Sequence, residues 1–144
     1  MPRKYISKKT KELVFIRAKH RCEYCQCRAD TALETFEIEH ILAVALGGSD
    51  ALSNLALACR GCNSRKAMRV WIIDKITQQK IALFNPRKDK WKVHFEWSTD
   101  FLQVIGKTAT GKITVEALQL NRVGVANVRK LMVLGGIHPP LDTV

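Results

Sequence analysis

RCEYCQCRADTALETFEIEHILAVALGGSDALSNLALACRGCNSRKAMR, residues 21 to 69, is the stretch that decides the fold. It opens on one Cys-x-x-Cys knuckle, Cys22 with Cys25, and ends just after a second, Cys59 with Cys62. Such pairs supply four thiolates to one tetrahedral ion when the intervening chain brings the knuckles together, and zinc suits that donor set. An ion with four protein ligands keeps no open position, so the zinc is expected to be structural and to contribute folding free energy. Any catalysis then lies elsewhere. Cys27 breaks the count of four and is read as a spare thiol in preference to an alternative ligand. His20, just ahead of the first knuckle, is expected at a helix end, where a cationic imidazole suits the carboxyl-terminal dipole.

Between the knuckles, Thr35 to Ile41 alternates apolar and polar side chains as a half-buried strand does, with Phe36 and Ile38 facing the core. Leu46-Gly47-Gly48-Ser49-Asp50 is turn-forming. Leu55-Ala56-Leu57-Ala58 reads as a short second strand, and the second knuckle runs into a helix beginning at the metal site, Asn63 to Arg69. The order is strand, loop, strand, helix. Upstream, Ser7 to His20 carries Leu13, Val14, Ile16 and Ala18 at helical spacing, with Ser7 able to cap the start. Downstream, Trp91 to Trp97 alternates like a strand, and Gly106 to Lys112 reads as a turn between two further strands. A helix from about Asn121 to Leu134 is ended by Gly135-Gly136 and followed by Pro139-Pro140. Trp91, Phe95 and Trp97 are read as packing groups in preference to base-stacking ones. His94 and His138 belong to no motif and are expected to be structural or exposed.

The 144 residues include 24 Lys and Arg against 13 Asp and Glu, a formal charge of +11, so the surface attracts polyanions. Nucleic acid is the expected partner, against the alternative that the charge serves solubility alone. The hydrophobic share of 47% and charged share of 26% are those of a globular chain. The basic amino terminus has no apolar run long enough for a signal peptide or membrane span, so a cytoplasmic location without a membrane partner is expected. In a reducing compartment five cysteines point to metal before disulfides.

CEYC, EIEHI, LGGSDALSNLALAC and RGCNSRK, all within Arg21 to Arg69, resemble the HNH endonuclease family, whose active site is the ββα-metal finger. The resemblance implies that His40 is the general base and that Glu39 before it is a metal ligand. It implies that Asn54 braces the loop and orients the histidine, and that Asn63 replaces the family's final histidine as second metal ligand. Glu39 stands where the family more often has aspartate, and Ala43 where a proline often stiffens the loop. The expected fold is α+β: a ββα-metal finger stapled by a four-cysteine zinc site, with an N-terminal helix and a C-terminal strand-plus-helix extension. The expected divisions are a basic arm and helix over 1–20, the nuclease core over 21–72, and an extension over 73–144 packed on that core.

The chemistry of phosphodiester hydrolysis agrees with these roles. An attacking water must lose a proton, which a neutral imidazole accepts, and charge growing on the phosphate must be neutralised by a hard cation on oxygen ligands. Magnesium or manganese is therefore the expected catalytic ion, and the reaction a metal-dependent endonuclease cleavage, with DNA favoured over RNA. Arg60, Arg65, Lys66 and Arg69 flank the expected site and could contact phosphates. The competing readings are a zinc-stapled nucleic-acid-binding module without catalysis and a zinc-ribbon protein-interaction domain. The second of these is disfavoured by the positive charge.

Overall fold

The structure is a computed structural model that describes residues 5–141; the first four residues of the basic arm lie outside the described residues. Helix α1 (Lys8–Arg17) starts where the Ser7 hydroxyl accepts from the Thr10 amide at 3.1 Å. Of its expected apolar stripe only Val14 is fully buried, while Leu13 and Ile16 face solvent. Phe15 and Ala18 pack on the core beside it. His20 follows the helix end with φ +57 and stacks its ring 5.7 Å from that of Phe15.

Strands β1 (Glu37–His40) and β2 (Leu55–Ala58) pair antiparallel, Glu37 opposite Ala58 and His40 opposite Leu55. Helix α2 (Arg60–Lys66) follows directly, its first turn capped by the Cys59 sulfur. The strand-loop-strand-helix order is the one expected, with a shorter β1, the same β2, and the helix shifted three residues toward the amino terminus. The helix begins at Arg60 because the knuckle itself forms its cap, and it ends at Lys66, where Ala67 turns to φ +52. All four residues of β2 are buried, with α1 packed against it. From the last turn of α1, the Arg17 guanidinium donates to the Leu52 carbonyl at 2.9 Å and the Leu55 carbonyl at 2.6 Å, fixing the entry to β2.

The first knuckle lies along β2. Glu23 donates its amide to the Leu57 carbonyl (2.9 Å), and its carboxylate accepts the Leu57 amide (2.8 Å). Cys59 comes two residues after Leu57, so both knuckles meet there. The Cys22, Cys25, Cys59 and Cys62 sulfurs all lie within 4.8 Å of one another, a cluster that fits a structural zinc ion. Cys27 is buried nearby but stands outside the cluster.

The C-terminal half departs from its expected elements at two places. Trp91 to Trp97 splits into a single helical turn, α3 (Trp91–His94), and a strand, β5 (Phe95–Trp97), which pairs with β6 (Val104–Gly106). The segment after Gly106 is no turn between strands. The Thr108 hydroxyl accepts from the Gly111 amide and starts α4 (Ala109–Leu118). The β-branched run Ile113-Thr114-Val115 favours a strand locally, yet the Thr114 hydroxyl is used in the helix. It donates to the Thr110 carbonyl (2.7 Å) and accepts the Phe84 amide (2.9 Å). A hairpin of β3 (Trp71–Ile73) and β4 (Lys80–Ala82) has no forerunner in the sequence reading, and α5 (Val123–Leu134) runs within two residues of the expected helix.

One apolar cluster runs from Val14 to Met132 and joins the two halves. Trp91 and Phe95 are buried in it, and the Trp91 indole donates to the Tyr24 carbonyl at 3.0 Å. Fully buried Arg129 on α5 donates to the Cys25 carbonyl (3.2 Å) and the Leu120 carbonyl (2.8 Å). His94 bonds the Thr108 hydroxyl, and His138 bonds the Phe101 carbonyl beneath Trp97, so both serve structure. No described helix is long and apolar enough to cross a membrane.

Metal analysis of the purified chain is expected to find about one zinc per chain on sulfur ligands. Cys59→Ser should release it and unfold the domain, because binding free energy at such a site is folding free energy. A Cys59→Ser protein that keeps a cooperative melting transition without zinc would show that the cluster does not staple the fold.

Candidate active site

Glu37 and Glu39, two residues apart on β1, both project toward α2, whose Asn63 and Lys66 lie three residues apart on the facing side. The Asn63 side-chain amide donates to the Glu37 carboxylate at 2.9 Å, which leaves the Asn63 carbonyl oxygen directed elsewhere. The Lys66 ammonium lies 2.5 Å from Glu39 and also donates to the Ile41 carbonyl at 2.9 Å. Both members of this ion pair are buried, Glu39 at 3% and Lys66 at 1% exposure. Lys66, expected among the phosphate-contacting surface groups, is thus placed beneath the surface. A buried carboxylate needs a countercharge, and the helix supplies one there. Burial pushes the Glu39 carboxyl above its ordinary range, with the Lys66 charge pulling the other way. The buried Tyr24 hydroxyl lies beside the same carboxylate, and its pKa is raised by burial first and by the Glu39 charge second. Neither Glu39 oxygen nor the Tyr24 hydroxyl has a hydrogen-bond partner of good geometry, the first oxygen facing the Lys66 ammonium.

His40 ends β1, on the opposite side of the strand from Glu39, and is partly exposed. Its Nε2 lies 2.7 Å from the Asp50 carboxylate. The connecting loop is closed by Asn54, whose side-chain oxygen accepts the Leu42 amide (2.9 Å). Its side-chain amide donates to the Leu42 carbonyl (3.0 Å) and the Ser49 carbonyl (2.8 Å). One asparagine therefore ties the strand exit to the turn that carries Asp50. Gly48 is required at this crossing, since a Cβ there would stand 1.7 Å from the Leu42 carbonyl oxygen. Ala43, where the family often has proline, has φ −58, the value a proline ring imposes, so the loop keeps that shape without the ring.

The other basic residues are already engaged. Arg60 is exposed, within 3.3 Å of Glu34 and 3.9 Å of Glu37. Arg65 donates to the Gly61 carbonyl, and Arg69 donates to the carbonyls of Arg65, Lys66 and Ala117 at the end of α2. Two residues of this site escaped the sequence reading in their roles. Asp50 was visible only as a turn former, although a carboxylate closing the loop after a histidine was a usable signal. Nothing in the sequence marked Lys66 as the partner of Glu39.

The buried pair yields a stability test. Glu39→Leu or Lys66→Met alone should cost about 3–5 kcal/mol in urea unfolding, because each strands a buried charge. The double variant should recover most of that loss; if it is as unstable as the sum of the singles, the pair is not the interaction described.

Residues 22–69 match the family model described as HNH endonuclease. The Septu protein PtuB of Bacillus thuringiensis is 29% identical over 111 residues. That alignment covers 72% of this chain, which spans 38% of the relative's length. No solved structure matches the chain. The segment from Cys22 to Arg69, with its paired β1 and β2, its α2 and its four clustered cysteines, is the part of the chain that is similar to the HNH endonuclease family.

Proposed function

We propose that this chain is a metal-dependent endonuclease that hydrolyses phosphodiester bonds, DNA foremost, with His40 as general base. The observation that carries the reading is the His40 and Asp50 contact at the open end of β1. A carboxylate on Nε2 favours the tautomer with its proton there, which leaves Nδ1 with a lone pair to accept a proton from water. Asp50 acts through His40 and so is a positioning residue. Asn54 holds the loop in which both sit.

Glu39 and Asn63 offer the oxygen atoms for a magnesium or manganese ion, and the donor set fits a hard cation. The Glu39 carboxylate, both oxygens of which are buried without a hydrogen bond of good geometry, supports that assignment. When bound, such an ion supplies positive charge against the phosphate and leaving oxygen. Lys66 shares the Glu39 carboxylate and holds it at a fixed place between β1 and α2. Arg60, and Arg65 behind it, are the side chains we assign to phosphate contact on the exposed side of α2. The free thiol of Cys27, outside the four-cysteine cluster, fits a reducing, cytoplasmic setting.

A second reading, a zinc-stapled nucleic-acid-binding module without catalysis, is favoured by the same ion pair, since Lys66 already neutralises Glu39. Nicking of supercoiled plasmid, single-stranded DNA and RNA with and without magnesium or manganese separates the two.

His40→Ala should lower cleavage by about a hundredfold to ten-thousandfold while the melting temperature and zinc content stay at parental values. A folded His40→Ala protein that cleaves at the parental rate would remove this histidine from the mechanism. Asn63→Ala should instead raise the magnesium or manganese concentration needed for half-maximal rate, with partial recovery at high metal. Identical rescue of His40→Ala by metal would contradict the division of roles.

A further inference from the structure

We infer that the outer face of the β3–β4 hairpin is a binding surface for an unpaired stretch of nucleic acid, with Trp71 as the stacking platform; the inference rests on the nuclease reading above and concerns how substrate is held. The hairpin has two unlike faces. Ile72 and Ile81 are half-buried, and α4 packs against β4. Trp71, Ile73, Lys80 and Ala82 point the other way and are exposed. Of the three tryptophans, Trp91 is buried at 2% and Trp97 lies against Trp91 and His138, while Trp71 is 43% exposed. An indole left on a surface strand costs burial free energy unless something covers it.

The surroundings of that ring specify the cover. The Lys80 ammonium stands over the Trp71 ring, 4.2 Å from its centroid, so an exposed lysine cation sits on an indole that is itself 43% exposed. Lys75 is exposed at the hairpin tip, where Ile76 is also 92% exposed. The one acid of the hairpin, Asp74, is used within its own turn by the Ile76 amide and the Thr77 hydroxyl. Among the described residues, neither Lys75 nor Lys80 pairs with a carboxylate. A flat π surface, apolar neighbours and unneutralised ammonium groups match a base bound on its face beside its phosphate, with Lys80 moving from the ring to that phosphate. An acidic protein would satisfy the lysines but not the open indole face. A paired base keeps its own faces stacked, so the platform suits an unpaired one.

Position links this surface to the site. Lys66, whose ammonium reaches the Ile41 carbonyl next to His40, is five residues before Trp71. The hairpin thus follows in the chain directly on α2, the helix that carries Asn63 and Lys66.

Binding is measured on the His40→Ala protein, without added divalent ions, using fluorescein-labelled oligothymidylate and a duplex of equal length. Oligothymidylate should quench tryptophan emission, and Trp71→Phe should remove the quenching while keeping most of the affinity. Trp71→Ala should weaken oligothymidylate binding about 5- to 100-fold with a much smaller effect on the duplex. Lys80→Gln should lower the salt slope of binding by about one. Parental affinity in a folded Trp71→Ala protein, equal losses on both probes, or tighter binding to vesicles of anionic phospholipid would overturn the inference and leave the nuclease reading standing. Should Trp71→Ala fail to fold, unchanged quenching in Trp71→Phe would overturn it instead. If His40→Ala protein binds neither probe, the nucleic-acid reading itself fails.

Discussion

Glu23 grips Leu57 twice, its amide on the carbonyl of Leu57 and its carboxylate on the amide, and this contact lays the first knuckle along β2. The second knuckle begins two residues further along the same strand, so the four sulfurs converge without help from a long loop. Glu23 is itself largely buried, which pushes its carboxyl up, and the Arg87 guanidinium from the C-terminal half opposes that shift. The convergence of the four sulfurs, at the point where α2 starts, follows from that placement. A metal site that staples a small domain needs its ligands brought close before the ion can close it.

The C-terminal half then answers a charge problem. Four thiolates around one divalent ion carry net negative charge, and the interior beside them is apolar. Arg122, just ahead of α5, donates to the Cys59 sulfur at 3.4 Å and the Cys62 sulfur at 3.6 Å. Arg129 on the same helix is buried against the Cys25 carbonyl. Residues after 73 thus supply guanidinium groups to the cluster, half-buried Arg122 at the sulfurs and buried Arg129 at the Cys25 carbonyl, which explains why these two arginines sit so far along the chain from the site they serve.

Much of this was legible because its signals are local. Cysteine spacing, the alternation before His40, the glycine turn and the Ser7 cap each depend on a few neighbouring residues, and each has its counterpart in the fold. What was hidden depends on distant partners. Ile113-Thr114-Val115 reads as a strand until Phe84, 30 residues upstream, is seen to use the Thr114 hydroxyl. Leu13 and Ile16 belong to a plausible stripe, but β2 offers room for Val14 alone. Lys66 reads as a surface cation because nothing nearby in sequence shows that Glu39 is buried. Trp71 was passed over for the opposite reason, since a hairpin three residues wide leaves little periodicity to read.

The two periods at the β1–α2 contact carry the last step. A strand repeats every two residues and a helix returns to one face every three to four, so Glu37 and Glu39 meet Asn63 and Lys66 as two parallel pairs. At the Asn63 end the partner is neutral and lies beside the exposed arginine, Arg60; at the Lys66 end it is cationic and sealed from water. The sealed pair fixes the separation of strand and helix, and an ammonium does this without any ion present. The Glu37–Asn63 pair, an amide on a partly exposed carboxylate, leaves oxygen atoms able to change partners. The Lys66 contact therefore holds the Glu39 carboxylate in place beside Asn63.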